Sequence, residues 1–184
     1  MDDSQAVSRM KKGDIGGLET LIARYQERAF RTALLILHND GLAEDVVQDT
    51  FLRIFQRIRY FNEEQPIEPY LMRSVTHAAL NAAEKESRHM VLDEGTEPLI
   101  LERLLDKAAT TEDLVEYANL KNEIYAALAK LKPRERTVIV QRYYLEMSEK
   151  EMAVEHSVAP GTVKWLLNKA RMHLRTFIIP ESEK

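Results

Sequence analysis

Between residues 43 and 58 the side chains of Ala43, Val46, Val47, Thr50, Phe51, Ile54, Phe55 and Ile58 alternate spacings of three and one. An α-helix gathers such a set onto one face, whereas a strand would scatter it over two. A helix with that stripe has to bury it against other helices. The flanking sequence supplies the partners. Leu18, Leu21, Ile22, Tyr25, Ala29 and Ala33 recur at helical spacing after a break expected at Gly16–Gly17. HNDG (38–41) then punctuates, with Asn39 or Asp40 as the N-cap. A third run follows Pro66 with Ile67, Tyr70, Leu71, Ser74, Val75, Ala78 and Ala79. No period-two strand pattern competes with it, so the expected fold class is all-α. Three such helices can bury one core within roughly 80 residues.

The rest of the chain reads as a second, smaller helical module. Residues 91–115 carry Gly95, Pro98 and many acids, with helical potential only around Leu99–Leu105, and are expected to form an acidic linker. Beyond it Leu120, Ile124, Leu128 and Leu131 share a face, and Pro133 suits the first turn of a following helix. The expected domains are 1–90 and 116–184, joined by 91–115.

The stretch SEKEMAVEHSVAPGTVKWLLNKARMHLR (148–175) has the form of a helix-turn-helix. Ser148 and Glu151 make a capping box, SVA (157–159) a turn, and Pro160 opens the second helix. On that helix Val163, Leu167, Ala170 and Leu174 face inward, leaving Thr162, Lys164, Trp165, Asn168 and Lys169 outward. From Pro160 to Phe177 the charges are Lys164, Lys169, Arg171 and Arg175, without an acid. A basic helix suits phosphate contact, although a basic face also serves plain solubility. Trp165 is expected to pack against a neighbouring helix, given its large apolar body.

Composition narrows the function classes. The net charge of the chain is −4, whereas a stand-alone, non-specific DNA coater is basic. Any contact with nucleic acid therefore depends on local patches, with a larger partner to bring the chain there. There is no cysteine, and His38, His77, His89, His156 and His173 lack metal-ligand spacing. GDIGG (13–17) lacks the lysine and preceding strand of a phosphate-binding loop. No enzyme, metal or cofactor is expected. Apolar runs such as ALLIL (33–37) are too short to span a bilayer, and the N-terminus has no signal core, so a soluble cytoplasmic protein is expected.

Three stretches carry a family resemblance. GDIGGLETLIARY (13–25) is similar to the opening of extracytoplasmic-function sigma factors of the sigma-70 family. AEDVVQDTFLRIF (43–55) resembles that family's most characteristic stretch. LKPRERTVIVQRYYLEMSEKEMAVEHSVAPGTVKWLLNKARMHLR (131–175) resembles its C-terminal module, including PRER, RYY and GTVK. The resemblance as a whole covers residues 9 to about 177.

The resemblance implies a transcription initiation factor that binds core RNA polymerase, through the clamp helices of the largest subunit and the flap, and directs it to promoters. It implies polymerase docking by Glu44, Asp45, Gln48, Asp49, Arg53 and Gln56, which the apolar stripe leaves outward. It places −10 element contacts at Asn62, Gln65, Tyr70, Arg73, His77, Asn81, Lys85 and Arg88. Contacts with the −35 element fall to Arg142, Thr162, Lys164, Trp165, Asn168, Lys169 and Arg171. An anti-sigma factor is an implied partner.

Some positions depart from the family pattern. Where members carry tryptophan, asparagine, aspartate and arginine, this chain has Tyr70, His77, Asn81 and Glu84, and serine and arginine are replaced by Trp165 and Leu166. The acids Glu63 and Glu64 would repel a DNA backbone unless they point away. These departures motivate an alternative reading, a decoy that binds an anti-sigma factor without reading DNA. An ordinary helix-turn-helix regulator leaves the first module unexplained.

Overall fold

The computed structural model describes residues 1–89 and 113–178, and the expected Leu99–Leu105 helix lies outside them. Two compact units emerge, Met1–Ala83 and Glu84–Lys184. Among the described residues all regular structure is helical.

The N-terminal unit opens with a helix the periodicity did not announce, α1 (Asp3–Lys11). Asp2 caps it, accepting from the Gln5 amide at 2.8 Å while Gln5 Oε1 accepts from the Asp2 amide at 3.1 Å. Its Ala6, Val7 and Met10 are buried. Asp14 then caps α2 (Ile15–Leu37), so Gly16 and Gly17 lie inside this helix instead of breaking it. The physical reason is close approach. A Cβ on Gly17 would stand 2.3 Å from the Ala6 carbonyl oxygen and 2.8 Å from Met10 Cγ. Tyr25 donates to Asp3 at 2.5 Å, further tying α2 to α1.

At its far end α2 terminates on His38 in the left-handed region (φ 56°). Asn39, not Asp40, caps α3 (Asp40–Arg57), its Oδ1 accepting from the Leu42 amide at 2.9 Å. Ala43, Val47, Thr50, Phe51 and Ile54 are buried, Val46 and Phe55 half-buried. Thr50 is satisfied internally, its hydroxyl donating to the Val46 carbonyl at 2.7 Å. The buried Ile58 begins a 3₁₀ turn (Ile58–Tyr60), and α4 (Ile67–His89) buries Ile67, Leu71, Met72, Val75, Ala79 and Ala83.

In the C-terminal unit α5 (Asp113–Ala129) corrects one expectation. Leu120 and Ile124 are exposed, and the buried face runs instead through Tyr125, Leu128 and, beyond the helix end, Leu131. Turning the helix by one position buries the larger tyrosine in place of isoleucine. Pro133 opens α6 (Pro133–Ile139), which passes into a π-helical stretch, Val140–Tyr144. There the Leu145 amide bonds back five residues to the Val140 carbonyl at 3.0 Å. Gln141, fully buried, donates to Glu155 at 2.7 Å and faces His156 Nε2 at 2.8 Å.

Ser148 and Glu151 form the expected capping box of α7 (Glu149–His156), Ser157 turns in the left-handed region, and α8 (Pro160–Ile178) buries Val163, Leu167 and Ala170. Ser148→Ala removes an acceptor from the Glu151 amide. It is expected to cost about 1 kcal/mol, measured by urea unfolding followed through helical circular dichroism.

Candidate functional site

Every candidate residue on α3 is exposed: Glu44, Asp45, Gln48, Asp49, Arg53 and Gln56. They follow from the stripe, since burying one face of a helix turns the other to water. The sequence reading missed Leu52, which is 54% exposed among them. Counting inward positions alone passed it over. The signal was an apolar residue four after Gln48 and three after Asp49, in the polar phase. The face is thus an apolar centre with a polar rim, the anatomy of a protein-binding surface.

Past α3 the chain forms an open cavity of about 580 Å³ lined by Arg57, Tyr60, Phe61, Asn62, Gln65 and Tyr70. The Phe61 and Tyr70 rings stand 5.1 Å apart, tilted by 49°. Asn62 spends its Oδ1 on the Glu64 amide at 3.0 Å, shaping the loop. Glu63 pairs with Lys11 at 2.8 Å, so that acid is compensated within the protein. Tyr60, 91% exposed on the rim, is a second residue the sequence reading did not single out.

From the cavity a stripe runs along α4. Arg73, His77, Asn81, Lys85 and Arg88 are exposed and follow Tyr70 at spacings of three and four. Partial burial, together with the charge of Arg73, holds His77 below the usual imidazole range. It is therefore a neutral hydrogen-bonding group at pH 7, and the positive charge of the stripe comes from Arg73, Lys85 and Arg88.

On α8, Thr162, Lys164, Trp165, Asn168 and Arg171 are exposed and Lys169 is half-buried. Trp165 does not pack on a neighbouring helix: it is 60% exposed, with Lys169 Nζ 5.2 Å from its ring centroid. Val163 and Leu167 fill the buried face, and position 165 lies two residues, some 200°, around the helix from Val163. Arg171 is held by neutral partners, donating to Tyr143 Oη at 2.9 Å and to Asn168 Oδ1 at 3.1 Å. Arg142 is half-buried and donates to the Met147 carbonyl at 2.9 Å, bracing the loop before α7. Among the described residues no helix is long and apolar enough to cross a membrane, and no His, Asp and Glu cluster is fit to hold a metal.

Comparison with known proteins matches residues 21–89 to the family described as Sigma-70 region 2. Residues 121–174 match Sigma-70, region 4. The chain is 31% identical over 163 residues to the ECF RNA polymerase sigma factor SigL of Mycobacterium tuberculosis, covering 83% of this chain and 85% of that protein. It is 28% identical over 173 residues to SigW of Bacillus subtilis, an ECF RNA polymerase sigma factor, covering 92% of each. Among solved structures, the sigma factor RpoE in complex with the anti-sigma factor NepR from Bartonella quintana shares the fold with a TM-score of 0.66 at 16% identity, covering 87% of this chain and 95% of that one. CnrH, solved with the cytosolic domain of CnrY, shares it with a TM-score of 0.62 at 20% identity, covering 96% of each.

Proposed function

The chain belongs to the extracytoplasmic-function sigma factors of the sigma-70 family, and from that premise we propose how its exposed surfaces divide the work of promoter-specific initiation. As an alternative sigma factor it binds core RNA polymerase and directs it to promoters. The observation that carries the division of labour is the α3 face, where exposed Leu52 sits within Asp45, Gln48, Asp49, Arg53 and Gln56. Such a face supplies an apolar anchor for affinity and a charged rim for register. We assign it to docking on the polymerase clamp helices.

The cavity bounded by Tyr60, Phe61 and Tyr70 is proposed to take an unstacked base of the −10 element. Its aromatic walls offer stacking, which every base satisfies. Gln65 and Arg57 are left as the amide and guanidinium readers there, because the Asn62 side-chain oxygen is engaged by its own loop. The α4 stripe then follows the separated strand through Arg73, Lys85 and Arg88. On α8, Lys164 and Arg171 are proposed to meet −35 phosphates, with Thr162 and Asn168 beside them and Trp165 offering an apolar face to thymine methyls. An anti-sigma factor is a proposed restraining partner, by analogy with RpoE, which was solved in complex with the anti-sigma factor NepR.

Promoter-selected transcription with purified chain, bacterial core polymerase and a genomic DNA library tests the assignment. Discrete new start sites are the expected result, and their alignment yields both promoter elements. No binding to core polymerase would remove the docking role of α3. At a promoter so identified, Lys164→Ala is expected to reduce the slope of log affinity against log salt by about 0.9, the loss of one phosphate contact. An unchanged slope in a titration of holoenzyme binding means this lysine does not meet a phosphate.

A further inference from the structure

In sequence α8 is uniformly basic, but one of its cations is already engaged. Glu135, third residue of α6, presents a carboxylate only 3% exposed beneath the recognition helix. Its Oε1 lies 3.5 Å from Lys169 Nζ and its Oε2 lies 2.9 Å from His173 Nδ1. Lys169 and His173 stand four residues apart, one turn along the same face, so a single buried carboxylate clasps both. Burial alone pushes the Glu135 carboxyl up. The His173 hydrogen bond and the charges of His173 and Lys169 outweigh it, and hold the group below the usual carboxylate range. It is ionised at neutral pH, and an ionised buried group without a cationic partner is strongly unfavourable. Lys169 is also drawn to the Trp165 ring on its other side.

We propose that Glu135 is a positioning residue for promoter recognition: by keeping Lys169 on the protein, it withholds one phosphate-binding charge from the −35-reading helix and weakens its grip on duplex DNA. The proposal rests on the −35 role assigned to α8 above. Its physical basis is a competition between two anions for one ammonium group. The Glu135 carboxylate is close and shielded from water, whereas a DNA phosphate is solvated and screened by salt. The same clasp fixes the α8 helix against α6, so Lys164 and Arg171 are presented from a set orientation. None of this is visible from charge counting, because the acid lies 34 positions before its lysine.

The test uses the full chain bound to core polymerase and a promoter duplex recovered by start-site mapping, with a matched duplex scrambled in its −35 segment. Binding is titrated over a range of sodium chloride. Glu135→Gln keeps the side-chain size and a partner for His173 while removing the negative charge. It is expected to tighten −35-dependent binding on the order of fivefold at 0.15 M salt and to steepen the salt slope by about 0.9, one added phosphate contact. Lys169→Met in the otherwise native chain is expected to leave the slope within a few tenths, and to abolish the gain when combined with Glu135→Gln. Unchanged binding in the Glu135→Gln variant, or a gain that survives Lys169→Met, overturns the proposal. So does a slope reduced by about 0.9 in Lys169→Met alone, which would mark an ordinary phosphate contact that needs no release. If the native holoenzyme does not distinguish the two duplexes, the −35 role of α8 fails and takes this proposal with it. Discrimination with unaltered slopes defeats the role of Glu135 alone.

Discussion

Leu52→Asp is expected to weaken competition for core RNA polymerase by about thirtyfold or more, the size of a central interface residue worth roughly 2 kcal/mol. The side chain is 54% exposed, so its replacement leaves the helical core as it is, and helical circular dichroism and thermal unfolding should match the native chain. An aspartate at the apolar centre would have to be desolvated on docking without a partner, adding to the lost burial. Asp49→Lys, on the rim, is expected to act differently. It should mainly slow association and alter its salt dependence, because rim charges steer encounter more than they hold the complex. The check is displacement of a labelled sigma factor from core polymerase, with Gln26→Asp at an exposed α2 position as control. Native-like displacement by the Leu52 variant would put the docking surface elsewhere on the chain.

Gly17→Leu is expected to lower the stability of the N-terminal unit by about 3 kcal/mol. A Cβ at this position meets backbone, the Ala6 carbonyl oxygen at 2.3 Å and the Met10 amide nitrogen at 3.0 Å, which cannot rotate away. Relief requires α1 to lift from α2, exposing Ala6, Val7 and Met10, all buried. Limited proteolysis should then cut within residues 1–14 well before the remainder, and urea unfolding should begin earlier. The adjacent Gly16 gives the contrast. A Cβ there meets side chains and no backbone: the end of Arg9 at 2.5 Å, which can swing aside, and the Asp14 carboxylate at 3.2 Å. Gly16→Ala should therefore be neutral or gain up to about 1 kcal/mol from helix propensity. Equal stability of the two variants would mean α1 does not depend on close approach at Gly17.

These glycines show where sequence reading stops. A Gly-Gly pair looks like a helix break, because propensity is a local quantity. It is a helical contact here, because what decides is another backbone a few ångströms away. The stripes of α3 and α4 were legible for the opposite reason: their periodicity is local and already encodes which side is buried. Caps were legible as well, since Asn39, Ser148 and Glu151 act within three residues of themselves. Helix α1 escaped notice because only three small or medium apolar residues define its buried side.

Among the proposed contact residues, those on α3 could be placed from period alone. For Trp165 period and residue type pointed opposite ways, and the tryptophan's preference for burial yields because smaller residues already fill the buried face. The engagement of Lys169 by Glu135 depends on two helices meeting, and no short-range pattern reports that.

The π-helical stretch Val140–Tyr144 has a consequence for how this chain tolerates changes of length. A wide turn accommodates one residue more than an α-turn, so the segment stores a spare residue without opening the hydrogen-bond ladder. Loss of one residue there would let the backbone close into an ordinary helix at little cost. Removal of a second residue differs, because with no spare left to absorb it everything after the deletion turns by about 100°. Gln141, which joins this segment to Glu155 and His156, would leave its seat, and the helix-turn-helix would lose its internal brace while its backbone remained intact. Length is negotiable at this point of the chain; phase is not.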